Sequence, residues 1–296
     1  MDLVPVFSFL LLGRKCRYCK QPISWRYAGV ELLTGVIFAV LYWRYPPPAH
    51  TILLIALCAF VATLIPVFFI DLATFTIPDS LNILLFVIPV VLNIDLSIRY
   101  GHGYRLLDGW LPESIVGGLA GALIFGFVRI AGWLWKGVEA MGLGDVLLGR
   151  GMGAMLSLIT PASDNPLRLL FVWVLFSCLS GIVIGPLLIW IRTKQHSVPD
   201  KPTEHVLESD TFEREGKLSN QIGDVLWCLL MGDIVVYLRY HLTKQNHTVQ
   251  ASNEDADWVP LPSAIPFGPF LVVGFLAAIF WGEQLTRMYL SYALKG

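Results

Sequence analysis

The sequence predicts an all-α fold, a polytopic bundle of about 7 transmembrane helices, or 8 if one marginal segment also crosses, with a polar cytoplasmic insertion. Hydrophobic residues make up 55% of the 296 and charged residues only 15%, and the mean hydropathy of +0.65 exceeds what a water-soluble domain carries. Apolar runs also recur at bilayer length, roughly 20 residues each, and the breaks between them carry turn chemistry. The net charge of −1 offers no field to hold nucleic acid, and no basic cluster is interleaved with aromatics, so a nucleic-acid partner is excluded.

Taken in order, residues 1–13 are apolar but too short to span, and they lack the basic start and cleavage site of a secretory signal, so they are read as interfacial or re-entrant. Spans are expected near 28–45, 51–70, 79–98, 114–135, 145–160, 168–191 and 265–285. Pro46-Pro47-Pro48, Ile77-Pro78-Asp79, the polar stretch 99–113, Gly142 to Gly144, and Thr160-Pro161 separate them. The expected organisation is an N-terminal segment 1–27, a transmembrane core 28–192, a polar insertion 193–263, and a last helix with its tail, 264–296.

Lys and Arg are enriched in cytoplasmic loops. Arg14, Lys15, Arg17, Lys20, Arg26, Lys136 and the basic residues between Arg192 and Lys244 all fall on one side if the N-terminus is inside. Within the insertion, Ile222–Tyr240 is apolar enough to be the eighth span, but Asp224 and Asp233 would be costly at bilayer depth, which favours a helix lying on the membrane surface.

Ionisable side chains within or beside spans are costly, so each is a functional candidate. Asp71, Asp79 and Asp145 meet this test, and the expected topology puts all three at the cytoplasmic face. Asp79 follows Pro78 and precedes a long apolar run, the place of an N-cap. Asp145 follows Gly144 and also suits an N-cap; that role and a chemical one both stay open. Asp71 ends its span, where the helix dipole disfavours an anion, and has the weakest structural reason to be there. Two carboxylates brought together near a bilayer cannot both ionise cheaply, so they would share one proton and could activate water, with Asp145 starting as base and Asp71 as acid.

Gly142-Leu143-Gly144-Asp145 resembles the GxGD signature of intramembrane aspartic proteases, and Ile70-Asp71 followed by Ile77-Pro78-Asp79 is similar to the first aspartate region of type IV prepilin peptidases. Pro5 to Leu12, the pair Cys16 and Cys19 with Pro22-Ile23-Ser24, Arg26-Tyr27 leading to Glu31, and Ile265 to Phe270 agree with that family. The resemblance implies an aspartic endopeptidase of the bacterial inner membrane. It would cut basic leader peptides from prepilin or pseudopilin substrates at the cytoplasmic face, among membrane lipids, with Asp71 and Asp145 as catalytic pair. Proteolysis needs no cofactor. A second activity, N-methylation of the new N-terminus, would use S-adenosylmethionine.

The chain departs from the family pattern in three ways. The family's cysteine-rich region usually carries two Cys-x-x-Cys pairs after an upstream span, and here the chain shows only Cys16 and Cys19, too few for a zinc site in this chain alone. Leu147 stands where many relatives have lysine, and Arg150, one turn further on, either supplies a similar charge or pairs for packing. The insertion is the third departure. Glu31 either guides the basic leader, pairs with Arg26, or simply favours the start of its helix. The histidines show no metal spacing. A transporter or channel, and an inactive pilin-assembly relative, are the rival readings; the first would need a polar route across the midplane.

Overall fold

The computed structural model describes residues 6–100, 105–106, 111–136, 141–159, 168–195, 218–229 and 265–293. The helices are α1 (Phe7–Leu11), α2 (Trp25–Arg44), α3 (Thr51–Thr74), α4 (Asp79–Tyr100), α5 (Glu113–Lys136), α6 (Leu143–Ile159), α7 (Arg168–Gln195), α8 (Leu218–Leu229) and α9 (Gly268–Ala293). A two-residue antiparallel pair, β1 (Arg105–Leu106) with β2 (Leu111–Pro112), leads into α5. Helices α2, α3, α4, α5, α7 and α9 are long and apolar enough to cross a membrane, and the chain is a multi-pass membrane protein. The short seventh segment is α6, whose 17 residues reach about 25 Å, somewhat less than a hydrocarbon core of about 30 Å.

The chain divides into two compact units, Met1–Ile65 and Pro66–Gly296. In the first, Gly13 and Arg14 take left-handed backbone (φ 58° and 65°) and turn the chain from α1 into a hairpin. That hairpin is closed by Cys16 N–H to Gln21 O at 2.9 Å and Ile23 N–H to Arg14 O at 2.7 Å. Phe9 packs edge-on against Trp25 at 5.0 Å, and the Arg14 guanidinium lies over the same indole at 5.1 Å. Ser24 caps α2 by accepting from the Arg26 amide at 3.3 Å, so this helix starts three residues before the expected boundary.

In the second unit α6 is enclosed: every residue from Val146 to Leu158 is buried. Glycines make this possible. A Cβ on Gly121 of α5 would strike Gly149 O, one on Gly153 would strike Gly117 O, and one on Gly149 would meet the Phe125 ring at 2.5 Å. The antiparallel α5 and α6 therefore touch backbone to backbone through small residues spaced four apart on both sides, the close approach that drives helix association without a hydrophobic force. Ser157 Oγ closes the far end by donating to Glu113 O at 2.9 Å.

Helix α4 runs parallel to α6, with Asn82 beside Gly144 and Leu85 beside Gly151. Pro89 removes the intrahelical donor to Leu85 O, and it is there that Gly151 lets the two backbones approach. Helices α7 and α9 form a second antiparallel pair. Gly274 sits against Ser177 and Trp173, Gly282 against Leu169, and Trp173 Nε1–H donates to Leu271 O at 3.0 Å.

From the insertion the described residues include α8, which packs on α5 with Val225 filling the space at Gly126. Residues 230–264 lie outside the described ones, and with them most of the segment 222–240 that is weighed as an eighth span.

Candidate active site

Asp71 belongs to the last turn of α3, which continues to Thr74 and does not stop at residue 70. The helix ends where Phe75 turns left-handed (φ 58°) and its amide donates to Asp71 O at 2.9 Å; Thr74 Oγ1 holds Ile70 O at 2.8 Å. A left-handed non-glycine residue one turn from a buried acid is local strain held by its surroundings. Asp71 is 4% exposed, and its Oδ2 lies against the first residue of α9, Gly268, without a hydrogen bond of good geometry. A Cβ on Gly268 would collide with that oxygen and stand 3.1 Å from Cγ.

This contact changes the reading of Asp71. At the C-terminal end of its own helix an anion is disfavoured, but the N-terminus of α9 presents the opposite end of a dipole to the same carboxyl. Asp145, the third residue of α6, lies in that helix's first turn and so inside the helix, beyond the N-cap position. Both carboxyls therefore face helix N-termini, and the dipole contrast that separates them in the sequence is closed.

The segments that carry Asp71 and Asp145 come together in this unit. One side chain lies between their segments: Ile77 Cδ1 is 3.4 Å from where a Gly268 Cβ would stand, and Ile77 Cβ is 3.4 Å from where a Gly144 Cβ would stand. The start of α4, the start of α6, the end of α3 and the start of α9 thus meet at one end of this unit.

The signature glycines differ in their surroundings. Gly144 abuts Ile77, whereas a Cβ on Gly142 would find only Asp145 Oδ2, at an ordinary 3.8 Å. Neither has a left-handed φ. The segment is held from both sides: Asn82 Nδ2 of α4, fully buried, donates to Gly144 O at 3.4 Å, and Arg129 Nη1 of α5 donates to Met141 O at 2.9 Å. Arg129 also pairs with Asp224 of α8 at 3.5 Å.

Asp79 is exposed and stands in the first turn of α4, whose opening carbonyl is Pro78 O, the acceptor for the Leu81 and Asn82 amides; it is a first-turn residue and not the cap. Arg150 is buried, with its guanidinium 4.6 Å over the Phe86 ring of α4. Glu31 lies beyond the first turn of α2, which begins at Trp25, and its Oε2 accepts from the Val6 amide at 3.1 Å. Cys16 and Cys19 occupy the hairpin, where backbone amides of Cys19 and Tyr18 directed at the Cys16 sulfur hold its thiol below the usual range. Two thiols are half of a closed tetrahedral zinc site. Among the described residues no group of three or more His, Cys, Asp or Glu gathers to complete it.

Asn82, Arg129, Asp224, Ile77 and Gly268 are site neighbours that sequence reasoning does not single out as such. Arg129 carried a signal, since an arginine inside a span is as anomalous as an aspartate. Gly268 falls in the family-like stretch Ile265 to Phe270, but nothing in the sequence pairs it with Asp71, because that is an approach between distant helices.

Residues 58–186 match the type IV leader peptidase family, and residues 1–45 match the bacterial peptidase A24 N-terminal domain. A prepilin leader peptidase/N-methyltransferase of Myxococcus xanthus is 30% identical over 292 residues, 96% of this chain and 78% of the relative. One of Aeromonas salmonicida is 26% identical, covering 99% and 71%. One of Neisseria gonorrhoeae is 33% identical over 183 residues, 61% and 57%. No solved structure matches the chain.

Proposed function

The chain belongs to the type IV leader peptidase family and is a prepilin peptidase, and from that premise we propose that Asp71 and Asp145 are its catalytic dyad. The observation that carries this reading is that Ile77 packs against both Gly268, on which the Asp71 carboxyl lies, and Gly144, which precedes Asp145, bringing the two aspartate segments together at one end of the second unit. Two neighbouring carboxyls hold one proton between them as a unit. The carboxylate takes a proton from water, whose oxygen attacks the scissile carbonyl carbon. The protonated partner gives its proton to the carbonyl oxygen, forming a neutral tetrahedral diol. As the C–N bond breaks, the first acid protonates the leaving amine and the diol returns a proton to its partner, so the pair is ready again.

The expected setting is the cytoplasmic face of a bacterial inner membrane, where the basic loops lie. The substrate's apolar helix would remain in the bilayer, with membrane lipids around both, while the leader is cut. Asp79 and Arg150 act in this reading as supports for the helix start and for α4–α6 packing, and Gly142 and Gly144 as the slim backbone beside Asp145. The relatives' names add N-methyltransferase, which supports methylation of the new N-terminus from S-adenosylmethionine as a second reaction.

Co-expression with a type IV prepilin in a host lacking its own peptidase tests the dyad. Mass spectrometry should find leader loss with the wild type, and none with Asp71→Asn or Asp145→Asn at equal protein level. Substantial cleavage by either variant overturns the pair.

A further inference from the structure

The geometry points to Arg129 as a positioning residue for the candidate catalytic turn, held in place by Asp224 of the insertion helix. This rests on Asp145 being catalytic. Arg129 lies in the apolar helix α5 yet is only 4% exposed in its side chain, a costly placement for a guanidinium unless its donors are used. One is used on Met141 O at 2.9 Å, the carbonyl that immediately precedes Gly142-Leu143-Gly144-Asp145. The other terminal nitrogen faces Asp224 Oδ2 at 3.5 Å. The planar fork thus spans two elements, an arrangement lysine reproduces only in part.

At the far side of the same turn Asn82 holds Gly144 O. With Met141 and Gly144 both anchored, the turn that leads into Asp145 is fixed at its two ends. The two signature glycines bring no side chains to pack, so beside the contact of Gly144 with Ile77 this turn is held by these two anchors. Helix α8 is docked on α5 through Val225 at Gly126, one turn from Arg129, which keeps Asp224 opposite the guanidinium. The insertion therefore reaches the turn that leads into Asp145 by a short chain of contacts: Asp224, Arg129 and Met141.

The test is steady-state cleavage of a purified prepilin by the full-length protein in detergent, with Arg129→Met, Arg129→Lys, Asp224→Asn, the Arg129→Met/Asp224→Asn double variant, and Asp145→Asn as reference. Arg129→Met should lower kcat about tenfold to a hundredfold with KM within about threefold, as expected when a reacting group is displaced by about an ångström and substrate binding is kept. Arg129→Lys should recover part of that loss. Asp224→Asn should lower kcat about threefold alone and have no further effect in the Arg129→Met background, since it acts through the arginine.

A folded Arg129→Met protein with kcat within twofold of wild type overturns the inference, as does an Asp224→Asn effect of equal size in both backgrounds. Should Arg129→Met fail to accumulate folded, Asp224→Asn decides alone, and wild-type kcat there overturns it. Activity in Asp145→Asn would instead bring down the dyad, and this inference with it; a dead Asp145→Asn beside an unaffected Arg129→Met would leave the dyad standing.

Discussion

Helices α6 and α7 follow one another in the chain and both read as spans, yet they solve opposite problems. Helix α7 turns Phe171, Ile182 and Val183 outward, each about 70% exposed (73%, 69% and 71%), and keeps Trp173 and Ser177 for α9. A helix on the outside needs apolar bulk on one side and little else. Helix α6 has no outside: Val146 to Leu158 are all buried, and it carries Asp145, Arg150 and Ser157 among four glycines. An enclosed helix can hold polar groups because neighbouring helices satisfy them, and it must be slim because those neighbours stand at backbone distance. The polar groups therefore sit on the enclosed helix, and the outward apolar bulk on α7.

Substitutions that thicken α6 should break this contrast most severely. Gly153→Leu drives a branched side chain into the Gly117 carbonyl, and the chain should fail to accumulate, or lose well over 3 kcal/mol of stability, read as folded yield and detergent melting temperature. The two-sided version is sharper, because Gly121→Ala should cost about 1–3 kcal/mol by collision with Gly149 O.

Gly268→Ala tests the site more than the scaffold. Its methyl meets the Asp71 carboxyl, so cleavage of a prepilin should fall about tenfold or more while the melting temperature changes little. At the other extreme, Ile182→Leu on the outward face of α7 should leave stability within about 0.5 kcal/mol and cleavage unchanged. A loss of activity there would mean that this face contacts something more specific than an apolar solvent.

Several features of the candidate site are legible in the sequence. Asp71 and Asp145 stand out because a carboxylate at a bilayer edge is expensive wherever the chain takes it, a judgement that needs only hydropathy and position. The same judgement, applied evenly, reaches Arg129. The dipole argument about Asp71 was sound for α3 by itself and incomplete for the protein, because α9 is distant in sequence. Glu31 shows the limit in another way: moving the start of α2 from residue 28 to Trp25 takes it out of the first turn.

By itself the sequence determined that the chain crosses a membrane several times, that its spans begin and end near Pro, Gly and polar breaks, and that three aspartates and a Cys-x-x-Cys need explaining. These are sums over local windows, and local windows are what a linear string contains. Only the tertiary structure decided that the shortest of those segments is enclosed within the second unit, that Gly268 closes on Asp71, and that the insertion's Asp224 meets an arginine of α5. Each depends on which glycine lets which backbone approach, a property of two surfaces together and not of either helix alone.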